Sequence, residues 1–461
     1  MRRIARPFQH FVLPAFLVLI GSMTPVQSQI QRKPDAEPDI RLLLRTIDAH
    51  RLEQTIRTLV SFGTRSTLSD QTDPKRGIGA ARDWLHSEFD RVSRETGGRL
   101  QVSLQTFVQP VASRIPSPTT LTNIVATLPG TLPEANQHVL IISGHYDSIC
   151  SDPIDAVHDA PGANDDASGV AAVLETARAL SAYRFPATIV FMAVAGEEQG
   201  LYGSTYSAEQ AKLNKMPVEA MFTNDIIGSS LGANGVHDDR SVRVFSEGIP
   251  SNETAAEATL RRSIGGENDA PSRQLARYIK EAGEKYVRGF HVNLVYRRDR
   301  YLRGGDHIPF LENGFAAVRF TEPNENYHHQ HQNVRLEDGM QYGDLPEFVD
   351  FAYVGRVARV NAAALAELAL APAPPQKAGL VTRRLTTDTD LQWQANTEPD
   401  IAGYEIVWRE TTAPTWTHHR FVGNVTSYTV TGLSKDNYLF GVRAVNKAGH
   451  RSLVSYPRPV R

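Results

Sequence analysis

Two unbroken apolar runs, His138-Val-Leu-Ile-Ile-Ser143 and Ala187-Thr-Ile-Val-Phe-Met-Ala-Val194, flank an Ala-rich stretch from Gly169 to Leu180. A strand with one wet face alternates polar and apolar residues, whereas one without interruptions is buried on both faces. Two such strands joined through a helix predict a parallel sheet with helices packed on each side. A third strand is expected at Val218–Asn224, and later helices at Pro271–Tyr286 and Val349–Leu370. Upstream, Leu42, Leu43, Ile47, Leu52, Ile56 and Leu59 recur at helical spacing and predict a helix from Ile40 to Phe62. Another is expected from Ile78 to Ser93, ended by Gly97-Gly98. The predicted fold class is α/β, with a mostly parallel central sheet and helices on both faces, over residues 40–370.

The pattern changes after that. Residues 371–376 are Pro-rich and expected to form an extended, semi-rigid linker. From 377 to 461 short alternating runs at 389–393, 403–408, 427–431 and 438–445 are separated by turn signals, which predicts a small all-β sandwich. At the other end, Arg2, Arg3 and Arg6 precede an apolar run from Phe11 to Ile20, and Val26-Gln27-Ser28 offers a cleavage site. That order predicts a secretory signal peptide over 1–28, since the run is short for a bilayer span and Pro14 interrupts it. The mature chain is expected in the periplasm or outside the cell, with no membrane span. Cleavage removes three arginines and takes the formal charge from −2 to −5, a balance unsuited to binding nucleic acid. The single cysteine, Cys150, excludes a disulfide framework and a thiolate zinc site, and is expected as a small buried hydrophobe.

Acids and histidines follow the predicted strands, where ligands gather in open α/β sheets. In Gly144-His145-Tyr146-Asp147-Ser148, residues i and i+2 share a face, so Asp147 is placed to receive the second imidazole N–H of His145. Pro161-Gly162-Ala163-Asn164-Asp165-Asp166-Ala167-Ser168-Gly169 opens the Ala-rich helix; capping explains one acid there, and a second carboxylate is free to bridge two cations. Glu197-Glu198 follows the second strand, and neighbouring side chains at a strand end diverge, so one can ligate metal while the other faces its water as base. Asn224-Asp225 closes the third strand. Oxygen and imidazole donors without thiolates suit Zn²⁺, with Mn²⁺ or Co²⁺ as possible substitutes.

The segments GHYDS, PGANDDASGV and AGEEQGLYGS resemble those of metallopeptidase family 28, the two-zinc aminopeptidases and their carboxypeptidase relatives. The resemblance covers residues 40–370. It implies two Zn²⁺ per chain, one held by His145 and Asp225, the other by Glu198 and a late histidine, with Asp165 bridging. It also implies Asp147 behind His145, Glu197 as general base, and a cis peptide between Asp165 and Asp166. Three histidines compete for the late position, with His331 favoured over His328 and His329 third; Gln332 and Asn333 stand where the family usually carries other residues. Gly304-Gly305-Asp306-His307 resembles a segment on the substrate side, without a catalytic assignment. The C-terminal segment resembles a fibronectin type III domain, with Trp393 early and Leu433 five residues before Tyr438.

The implied reaction is peptide hydrolysis by an exopeptidase, an aminopeptidase first. A carboxypeptidase is the rival, since Arg297-Arg298-Asp299-Arg300-Tyr301-Leu302-Arg303 offers cations for a substrate carboxylate, although such a cluster is more often a solvated face. A single-zinc glutaminyl cyclase-like enzyme and a binding module on a degenerate hydrolase domain are further alternatives. Peptide is the expected partner, and the sandwich is expected either to bind polysaccharide or protein or to act as a spacer.

Overall fold

In the computed structural model, which describes residues 38–133 and 138–461, the two apolar runs are strands buried at every position. The predicted signal peptide lies outside the described residues. The two-residue period of a strand divides the buried side chains between two cores. Leu140, Ile142, Ile189 and Phe191 enter one apolar cluster, and Val139, Ile141, Val190 and Met192 the other.

The sheet has eight strands: β1 (Gln101–Gln109), β2 (Thr119–Leu128), β3 (Val139–His145), β4 (Thr188–Val194), β5 (Val218–Asn224), β6 (Ser241–Phe245), β7 (His291–Val295) and β8 (Ala317–Thr321). Their order is β1-β2-β4-β3-β5-β8-β6-β7. The centre, β4-β3-β5-β8, is parallel as expected. The margins are mixed, because β2 pairs antiparallel with β1 and β4, and β6 antiparallel with β8.

Residues from α1 (Ile40–Leu44), α2 (Ala49–Ser61), α3 (Gly77–Glu95), α4 (Ala167–Ser181), α8 (Pro271–Tyr286) and α10 (Phe351–Leu370) join the larger apolar cluster. Residues from α6 (Tyr202–Leu213) and α9 (His307–Glu312) join the smaller one on the opposite face. A single turn, α5 (Glu197–Gly200), and a peripheral helix, α7 (Ala255–Ile264), complete the set among the described residues. The expected helix over 40–62 is in fact two. The first ends at Leu44, and Asp48 caps α2, accepting from His50 N while donating its own N–H to Glu175. Likewise α10 starts at Phe351, two residues later than expected, because the Asp350 carboxylate caps it through Tyr353 N.

After a short hairpin of β9 (Arg335–Glu337) and β10 (Met340–Tyr342), the chain forms the expected sandwich. One sheet contains β11 (Gly379–Val381), β12 (Thr389–Gln392), β15 (Ser427–Val430) and β17 (Arg458–Val460). The other contains β13 (Ile401–Glu410), β14 (His418–Gly423) and β16 (Tyr438–Asn446), over a core that includes Trp393, Tyr404, Phe440 and Val442. The Pro-rich linker is held in place rather than free: Ala371, Pro372 and Pro375 are buried, and Ala373 N donates to Glu398 at 2.8 Å.

Candidate active site

β3 and β5 are neighbours, so His145 at the end of one and Asp225 just past the other are delivered to the same edge. α4 is brought against that edge by two glycines. A Cβ on Gly144 would sit 2.7 Å from Gly169 C and Val170 N, so the strand end and the helix start touch backbone to backbone. The acids ahead of α4 then divide their work. Asp166 is the cap, accepting from Gly169 N at 2.8 Å and from His145 N at 3.0 Å. Asp165 is turned to the histidines, and the peptide between the two acids is cis.

Asp165 Oδ1 lies 3.1 Å from His145 Nε2, and its Oδ2 lies 2.9 Å from His331 Nε2. Asp225 Oδ1 is 3.9 Å from His145 Nε2, and Glu198 Oε1 is 3.2 Å from His331 Nε2. Two groups contain Asp165, His145–Asp165–Asp225 and Asp165–Glu198–His331, and a third is His145–Glu197–Glu198, each with its candidate ligand atoms within 4.8 Å of one another. His145 Nε2, Glu198 Oε1 and His331 Nε2 are buried with no hydrogen-bond partner, which is costly unless a cation takes up their lone pairs. The donor set therefore fits zinc, with Asp165 common to the first two groups. The other two histidines are occupied elsewhere: His329 stacks on Phe348 at 3.6 Å between ring centroids, and His328 meets Tyr342 edge-on.

The two glutamates do not diverge from a strand end as the sequence suggested. β4 stops at Val194, and Gly196, at φ 74°, starts the helical turn that places Glu197 and Glu198. Asp147 also differs from expectation. His145 Nδ1 is nearer the Asp147 backbone oxygen, at 3.1 Å, than its carboxylate, at 3.6 Å. That carboxylate instead accepts from Glu197 N (3.3 Å), Glu198 N (3.1 Å) and Thr67 Oγ1 (3.2 Å), and so fixes the turn carrying both glutamates.

Burial pushes the Glu197 carboxyl well above its ordinary range, and Asp225, Glu198 and Asp306 add to this against the opposing pull of His145. Burial alone would raise Asp165 too, but His145 and His331 hold it well below the usual carboxylate range. Burial depresses His331, yet Glu198 and Asp165 together carry it up to about 11.

Several supporting groups had no motif to announce them. Asp344 accepts from Asn164 N at 2.9 Å and Asp165 N at 2.7 Å, and burial pushes its carboxyl up to about 7. Fully buried Arg65 donates to the carbonyls of Tyr146, Pro161 and Gly162, tying the segment ahead of Asp165 to β3. Gln330 Nε2 reaches Asp165 Oδ2 at 3.2 Å, and Arg319 Nη2 lies 2.8 Å from Asp225 Oδ1. These residues come from loops and a strand interior, and only the folded chain assembles them.

The site opens into a cavity of about 740 Å³, whose wall includes Arg114, Arg300, Leu302, Arg303 and Tyr327. The basic cluster is not uniformly a solvated face. The Arg300 side chain is 8% exposed and pairs with Asp299 (3.1 Å) and Glu325 (3.2 Å), while Arg303 meets Glu325 at 3.0 Å. Arg114 donates to the Glu198 carbonyl at 2.6 Å. Cys150 is buried as expected, on the same wall. His307 is turned away, its Nε2 2.8 Å from Arg298 O.

Residues 123–345 match the description Peptidase family M28, and residues 373–458 match Fibronectin type III domain. A protein of Leptosphaeria maculans named "Probable zinc metalloprotease" is 49% identical over 427 residues, covering 93% of this chain and 98% of its own length. A protein of Pyricularia oryzae with the same descriptive name is 50% identical over 432 residues, covering 92% and 85%. Among solved structures, the LapA aminopeptidase of Legionella pneumophila superposes with a TM-score of 0.51 at 20% identity, covering 76% of this chain and 82% of that one. That likeness concerns the fold.

Proposed function

The chain belongs to peptidase family M28 as a zinc metallopeptidase with a C-terminal fibronectin type III domain, and on that premise we propose that it is an exported two-zinc aminopeptidase. The observation that carries the proposal is the position of Asp165, one carboxylate oxygen directed to each of two histidines, with the Glu197–Glu198 turn alongside. His145 and Asp225 would hold one zinc and Glu198 and His331 the other, with Asp165 shared. Bound there, zinc would acidify a water and polarise the scissile carbonyl.

The chain's own residues supply the rest. Glu197 takes the proton from the attacking water and returns it to the leaving amine. Burial raises the proton affinity of its carboxylate, which suits a base that must accept a proton and hold it between those events. Asp147 keeps Glu197 aimed by binding its backbone N–H. Asp165, Glu197, Glu198 and Asp225 line the floor of the cavity. The arginines on its wall are already engaged by Asp299, Glu325 and the Glu198 carbonyl, which favours the amino end of a peptide over its carboxylate. Export follows from the leader-like first 28 residues.

Hydrolysis of amino-blocked and carboxyl-blocked dipeptides by the secreted protein tests this reading. The expectation is cleavage of only the carboxyl-blocked substrate, by a chain whose N-terminus is Gln29. Cleavage of only the amino-blocked substrate would establish the carboxypeptidase instead, and retention of the leader inside the cell would exclude export.

A further inference from the structure

A module that serves as a spacer or a tethered binding domain has no need to bury charge against its neighbour, yet here the two domains share a buried ionic junction. Arg409 of β13 is 1% exposed and donates through Nη2 to both carboxylate oxygens of Asp269, at 3.0 and 2.9 Å, just ahead of α8. Arg277 of α8 binds the same Asp269 at 2.9 Å and reaches across to the Pro414 carbonyl at 2.8 Å. Trp416 Nε1 donates to Gln274 at 3.0 Å, and the guanidiniums of Arg277 and Arg409 lie 5.6 and 5.3 Å from its ring centroid. Arg443 pairs with Glu281 at 2.9 Å, and Asn446 Nδ2 donates to the Leu370 carbonyl at 3.0 Å.

The Pro414 carbonyl also accepts from the Tyr296 hydroxyl, and the Tyr296 ring lies 3.7 Å beneath the Arg273 guanidinium. Tyr296 is the first residue after β7 and begins the loop that runs to Gly304. Three residues on, buried Asp299 accepts from Arg300 N at 2.5 Å and lies 3.6 Å from Arg319 Nη1, beside Asp225. Arg300 closes the loop on Gly304 O at 3.1 Å. The tip, Tyr301-Leu302, is 77% and 94% exposed, with Leu302 at φ 56°, and Leu302 and Arg303 form part of the cavity wall. Arg298, Arg300 and Arg303 also tie the loop to His307 and Glu325, so its inner half is held by the peptidase domain while its first residue is held from outside. The peptidase domain anchors the inner end and the fibronectin domain holds the outer one.

We infer that the fibronectin type III domain braces the 296–304 loop through the Tyr296–Pro414 contact and the Trp416 junction, and thereby sets how tightly the cavity takes a peptide. Tyr296 and Trp416 are positioning residues. The kinetic consequence rests on the peptidase reading above; the structural one does not. The loop carries Arg297, Arg298, Arg300 and Arg303, so trypsin reports directly on its release.

The test compares full-length Tyr296→Phe and Trp416→Ala with the parent chain and with Leu385→Ser, a change at an exposed fibronectin position. Loss of the brace should speed tryptic cleavage within 297–303 by about fivefold or more, and raise KM for an unblocked dipeptide by roughly three- to tenfold with kcat within twofold. Leu385→Ser should leave both unchanged. Faster cleavage in a chain that hydrolyses no peptide would uphold the brace and sink the peptidase reading. Parent-like cleavage and KM in both variants would overturn the inference, whether or not their melting temperatures fall, because the domain would then only stabilise its neighbour.

Discussion

Asp165 has a histidine on each side, and its two oxygens leave neither histidine to the other's site. Beside it Glu197 belongs to neither of the two groups that contain Asp165, which leaves it available for proton transfer. Glu197→Gln preserves shape and removes the base. It should lower kcat by roughly 10²–10⁴ while bound zinc stays at the parent level, read by steady-state kinetics and elemental analysis of the same sample. Unchanged kcat would reassign the base. At this scale the sequence was legible where one motif supplied both residue and place, as for His145, Glu198 and Asp225 after their strands. Asp344, Arg65 and Arg319 were not legible, because they act by filling the hydrogen-bonding needs of distant backbone and carboxylate groups, and no local pattern records such a pairing. Asp147 was found for the wrong reason: it sits near His145 as the i+2 spacing implies, but its carboxylate chiefly serves the glutamate turn.

The β3–α4 crossing holds the site together as an element. Gly144 and Gly169 allow the two backbones to touch, and any side chain there must push the Asp165–Asp166 segment away from His145. Gly144→Ala should cost about 1–3 kcal/mol in denaturant unfolding and weaken zinc binding, since overpacking moves the ligand rather than merely loosening the core. Parent-like stability and zinc affinity would show that the segment can shift without consequence. A second prediction concerns α10, where burial would raise Glu367, but His450, Tyr286 and Lys285 draw it down from an ordinary 4.5 to about 2. Its folded value is depressed, so its contribution is complete above about pH 4.5 and vanishes as the pH falls through about 2. Parent and Glu367→Gln stabilities should converge over that acid window by up to about 3 kcal/mol. A constant gap across the window would remove Glu367 from the acid response. The central strands and long helices were readable from their unbroken or periodic apolar runs. β6, β7 and β8 are five residues each, too short for periodicity to single them out, and β1 and β2 joined the sheet through pairing that apolar patterning does not specify.

The whole molecule places a peptidase site at the carboxyl edge of a mixed sheet and bolts a fibronectin domain to α8 and the end of α10 through ion pairs and a hydrogen bond. The change in composition after residue 370 revealed the sandwich, but not its docking, because Asp269, Arg277 and Arg409 are ordinary charged residues until the chain folds. The central claim is a pair of metal sites sharing Asp165, and zinc titration into the metal-free, full-length protein tests it most directly, with bound metal and peptide hydrolysis followed together. Bound zinc should rise to two per chain, with full activity reached only as the second equivalent binds. Saturation at one equivalent with full activity, or no binding at all, would contradict the account.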